Sequence, residues 1–114
     1  TSIADVEARI AGRWQVCTGG ISSPADTKGL EIVQRMAYFL VQGASGLERK
    51  PSWDYERSVT IIDATSMNGP GSYQINLSDG GGTNMYFTRI TEAGDRLELD
   101  EGTSGRKVSL VRIP

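Results

Sequence analysis

Between Ser72 and Ser78 the chain alternates without a break: Tyr73, Ile75 and Leu77 fall on one side, and Ser72, Gln74, Asn76 and Ser78 on the other. A period of two belongs to an extended strand with one buried face, because a helix would spread three such apolar residues around its circumference. Other copies of the pattern recur at short intervals. Trp14 and Val16 alternate with Arg13, Gln15 and Cys17, Leu30 and Ile32 flank Glu31, and Val59 and Ile61 flank Thr60. Met85 and Phe87, Leu97 and Leu99, and Val108 and Leu110 continue the series, while residues 38–41 form an apolar run that fits a strand buried on both faces. Glycine-rich or polar turns punctuate it: Gly43-Ala44-Ser45-Gly46, Asn68-Gly69-Pro70-Gly71, Asp79-Gly80-Gly81-Gly82 and Glu92-Ala93-Gly94-Asp95. A short strand from Leu47 to Lys50 ends at Pro51, which cannot donate to a ladder. The count is about eight or nine strands.

Only the start of the chain reads differently. Ile3, Val6 and Ile10 lie on one helical stripe, Ser2 stands at the capping position, Asp5 and Glu7 sit near the positive end, and Gly12 stops the helix, which gives residues 3–11. Strands joined by short turns, with no helix between them, pair antiparallel with their neighbours. So many strands must hide their edges. The expected fold is therefore all-β, an antiparallel up-and-down meander closed into a small eight-stranded barrel with a short N-terminal helix, in a single domain spanning residues 1–114.

Composition removes several classes of function. Twelve Lys and Arg against fourteen Asp and Glu give a net charge of −2, so no global field draws in a phosphate backbone. The longest apolar stretch, residues 36–41, is too short to span a bilayer. With no His and one Cys, the chain lacks the commonest general base, an internal disulfide and a thiolate zinc cluster. A start at Thr1-Ser2-Ile3 without Met fits a trimmed leader, and the expected location is secreted, periplasmic or envelope-associated.

The tripeptide Gly12-Arg13-Trp14 on the first strand, the meander after it and Arg112 on the last strand together resemble the lipocalin and wider calycin families. The chain is most similar to the short bacterial lipocalin-like domains. The resemblance implies that Gly12, Trp14 and Arg112 are structural: the indole seals the closed end of the barrel and the guanidinium lies on its face. It also implies a pocket for a small ligand. In short calycins that inhibit secreted metalloproteases, a leader corresponding to Thr1–Asp5 would act by insertion.

Enzymatic readings find little to work with. Lys28, Lys50 and Lys107 each stand beside a turn, a Gly or a Pro, where lysines are solvated rather than tuned to activate a nucleophile. Glu98, Asp100 and Glu101 fit a solvated strand face better than a glycosidase pair. The glycine loops precede strands, so they lack the helix N-terminus of a phosphate cradle, and Asp79 with Asn84 lacks the spacing of a calcium loop. Cys17 has no basic neighbour in sequence to activate it, and the sequon Asn76-Leu77-Ser78 lies inside a strand. The chain reads as a non-catalytic binding module with no metal or cofactor. Its ligand, small and apolar or aromatic, is expected among Tyr38, Leu40, Val59, Ile61, Tyr73, Ile75, Met85 and Phe87. The alternative is an interaction or inhibitor protein, or a cell-envelope scaffold domain, with a filled core. Trp53 and Tyr55, in a polar loop beside Pro51, are its candidate contacts with a protein partner.

Overall fold

The computed structural model describes residues 3–19, 26–69, 72–78, 83–89, 95–101 and 107–113; the side chains of 67, 68, 83–89 and 101 lie outside the described residues. The Ser2 cap, Pro70-Gly71 and the Asp79–Gly82 turn also fall outside them. Helix α1 (Ile3–Ile10) buries Val6 and Ile10 of its stripe and leaves Ile3 exposed. Strands β1 (Gly12–Thr18), β2 (Gly29–Val33), β3 (Met36–Gly43) and β4 (Gly46–Arg49) follow. A single 3₁₀ turn (Trp53–Tyr55) leads into β5 (Glu56–Asp63), and a four-residue helix α2 (Thr65–Asn68) into β6 (Ser72–Ser78). Strands β7 (Thr83–Arg89), β8 (Arg96–Glu101) and β9 (Lys107–Arg112) complete the chain.

Every pairing is antiparallel. Going round the wall, β1 pairs β2, β2 pairs β3, β3 pairs β5, and β5 to β9 pair in sequence order, with β9 beside β1. The mostly β, antiparallel and curled architecture is present, with one helix of more than a single turn among the described residues. The closed barrel expected above needs correction: the sheet is curled into a half-barrel, open rather than closed, and two of its strand junctions are short. β3 meets β5 through only three residue pairs, Met36↔Ser58 to Tyr38↔Glu56. The rest of that β3 edge, Leu40 to Gly43, is occupied by β4, so β5 has nothing there to pair with. Among the described residues, β7 pairs β8 at Tyr86↔Glu101 and Phe87↔Asp100. Eight strands form the curled wall, and β4 is a ninth, hung on β3.

Alternation fills the concave side. Trp14, Leu30, Ile32, Ala37, Phe39, Val59, Tyr73, Ile75, Leu77, Leu97, Leu99, Val108 and Leu110 join Val6 and Ile10 of the helix in one apolar cluster. The hydrophobic effect acts on this cluster at roughly 25 cal/mol per Å² buried, and α1 adds to it by covering one end. Gly29 marks where two strands crowd: a Cβ there would lie 2.4 Å from the Trp14 carbonyl oxygen.

Candidate functional site

Polar contacts fasten the end covered by α1. A helix leaves its last carbonyls without intrahelical donors. Here Trp14 Nε1 donates to Ile10 O at 2.9 Å, Arg112 Nη1 to Ala11 O at 2.7 Å and Arg112 Nη2 to Arg9 O at 2.8 Å. The guanidinium carbon sits 4.2 Å from the centre of the Trp14 ring, whose side chain is almost wholly buried. A cation at the negative helix end and over an aromatic face is favoured twice. Gly12 makes room for it. Its φ is +124°, and a Cβ would lie 2.5 Å from Arg112 Nη1. These groups hold structure together.

The eight side chains expected to line a pocket divide between two faces. Val59, Tyr73 and Ile75 are buried in the central cluster, and Ile61 packs against it. Tyr38 and Leu40 do not join them. On β3 the inward set is Ala37, Phe39 and Val41, so the even-numbered residues point outward. Tyr38 lies under Arg49, whose guanidinium carbon is 3.8 Å from the ring centre. Leu40 is buried on that outer side near Leu47, where both approach Gly29. An apolar run has no visible parity, and it concealed this reversal. Met85 and Phe87 pair with Asn76 and Gln74, whereas Tyr86 pairs with Ile75; positions 85 and 87 thus share the outer row, and their side chains lie outside the described residues.

Sequence reasoning missed the buried cation. Arg57, 5% exposed, points inward with its guanidinium carbon 4.8 Å from the Phe39 ring centre. Its Nη1 donates to Asp54 O at 2.6 Å and Glu56 O at 2.9 Å, which ties the 3₁₀ turn to the interior. The i, i+2 spacing with Val59 was the available signal.

In the neighbouring loop, Trp53 and Tyr55 part company. Tyr55 is buried, donates its hydroxyl to Asp26 Oδ1 at 2.5 Å and carries Lys50 Nζ at 4.8 Å from its ring centre. Trp53 is 74% exposed. Tyr55 is therefore the anchor, and only Trp53 is displayed. Cys17 is a free, exposed thiol at an irregularity where the β1–β9 register slips between Val16 and Thr18. Glu98 and Asp100 are exposed, and the described residues contain no cluster of metal-ligating side chains. Beyond the wall, α1 and the β2–β3 turn leave an open groove of about 520 Å³, lined by Ala8, Ala11, Val33 and Met36 and bordered by the Glu7–Arg35 pair.

Surroundings move the titration of one acid and one phenol among the described residues. Thr65, through its hydroxyl and its backbone N–H (2.8 Å from Asp63 Oδ1), holds the Asp63 carboxyl below its usual pKa. Its hydrogen bond to Asp26 raises the pKa of the Tyr55 hydroxyl. A depressed carboxyl pKa stabilises the fold above the unfolded value and loses that contribution as pH falls through the folded one; a raised phenol loses its contribution as pH rises through its folded value. Thermal melting should therefore be level from pH 5 to 8, with losses confined to pH below about 4 and above about 10. A steep step near pH 6.5 in a calorimetric series would contradict this.

Comparison with protein-family models, with curated proteins and with solved structures finds no match. The functional reading accordingly stands on the geometry. No helix among the described residues is long and apolar enough to cross a membrane.

Proposed function

We propose that the protein is a non-catalytic interaction module, a lipocalin-like wall used as a solid scaffold rather than as a cup. One observation carries the choice over a small-ligand carrier: the expected lining does not converge on a shared space. Val59, Tyr73 and Ile75 are 6%, 4% and 2% exposed and packed into the central cluster, while Tyr38 and Leu40 belong to the opposite face. A vacancy able to take a small molecule would leave accessible surface on the side chains around it. A calycin relationship and an extracytoplasmic setting belong to the same proposal. Trp53, displayed beside the anchored Tyr55, is the kind of aromatic contact that dominates interface energetics.

Native mass spectrometry of gently purified protein, paired with a fluorescent apolar probe, tests the reading. The expected result is a bare chain mass and no probe uptake at pH 7. A stoichiometric adduct, or probe fluorescence that a competing apolar molecule displaces, would restore the ligand carrier.

A further inference from the structure

On the outward rows of β5, β6 and β7, nine positions form an uncharged block between Glu56 at one end of β5 and Arg89 at the opposite end of β7. Ser58 stands opposite Ser78 and Ser78 opposite Thr83; Thr60 opposite Asn76 and Asn76 opposite Met85; Ile62 opposite Gln74 and Gln74 opposite Phe87. Directly opposed residues on antiparallel strands share a face of the sheet. These positions therefore lie together, on the side away from Val59, Ile75 and Leu77. The β8 register agrees, because Phe87 is opposite the exposed Asp100. Most other outward rows carry charge, with Arg13 and Glu31 on β1 and β2, Arg96, Glu98 and Asp100 on β8, and Lys107 on β9; the row of β3, Met36 to Gln42, is itself uncharged but has the Arg49 guanidinium over Tyr38.

We infer that this block is where two copies of the chain associate, sheet against sheet about a two-fold axis; the inference rests on the interaction reading and names its partner. Three arguments select a second copy. Two chains of net charge −2 repel least where neither presents a charge. A two-fold interface must be complementary to itself, and hydroxyls and amides meet that demand because each both donates and accepts. Gln74 Nε2 already donates to Asn76 Oδ1 at 2.9 Å, so these amides are held in a fixed arrangement. Finally, depletion of charge around an exposed apolar side chain is the compositional mark of an interface core, and Ile62 is 42% exposed.

Size sets the strength. Three strands about 4.8 Å apart, each giving three residues at a spacing of about 6.8 Å, present on the order of 300 Å² per copy. A standard interface buries about 800 Å² per partner, so the dimer is weak and reversible, with Kd on the order of 100 μM.

Sedimentation equilibrium on the full chain from about 10 μM to 1 mM reads this directly. The expected result is a mass rising from monomer towards dimer. Thr60→Lys, at an exposed position in the middle row, should weaken association about tenfold or more by setting like charges across the axis. Mixing Thr60→Lys with Thr60→Glu should recover it. Ser58→Lys serves in the same way if circular dichroism shows that Thr60→Lys has lost its fold. A wild-type chain that stays at 12.3 kDa throughout, or folded lysine variants that dimerise as the wild type does, overturns the inference. Such a result removes the second copy as occupant, while the adduct and probe experiment, which reads only the interior, decides the interaction reading separately.

Discussion

Replacing Trp14 by Ala should cost about 3–5 kcal/mol, enough to leave much of a domain this small unfolded at ambient temperature. The side chain is 1% exposed, so its loss removes a large apolar area and opens a cavity at the covered end of the wall. The substitution also takes away the donor to Ile10 O and the ring beneath Arg112. Trp14→Phe separates the contributions: it keeps most of the apolar bulk, loses the indole N–H and should cost roughly 1–2 kcal/mol. Urea denaturation followed by circular dichroism measures both. An alanine variant with an unchanged midpoint would show that the indole is not what closes this end.

Gly12→Ala is the second large effect, at about 1–3 kcal/mol, although only one methyl group is added. At φ +124° an L side chain is strained, and its Cβ would stand 2.5 Å from Arg112 Nη1. The guanidinium would have to leave the helix end it serves, so Arg9 O and Ala11 O would lose their donors. In a cycle with Arg112→Met the two losses should not add, because each substitution removes the same cap. Additive losses in denaturant titrations would mean that strain in the backbone alone explains the glycine.

Much of the fold was legible because alternation and turn chemistry are local. The β6 pattern is two-faced in the structure as it is in the sequence, and the stripe of α1 is buried at Val6 and Ile10. The contact of Arg112 with the Trp14 ring, expected from the resemblance alone, is present in the structure. What failed was parity and long-range occupancy. Nothing within residues 38–41 says which alternate side chains face inward, so Tyr38 and Leu40 were placed with the interior. Nothing in the Gly46–Arg49 segment reveals that it takes the edge of β3 that β5 would otherwise use. The single helical turns at Trp53–Tyr55 and Thr65–Asn68 are too short for any period to show. The uncharged block was likewise invisible, since it exists only after three strands are set in register.

The clasp between Arg112 and Ala11 joins residues 101 positions apart. A ribosome extending this chain would therefore have to deliver Arg112 before α1 could be fastened. Until then Val6 and Ile10 would have no settled seat. Nascent chains would wait as unclosed ribbon, and loss of the final strand would undo the beginning as surely as the end.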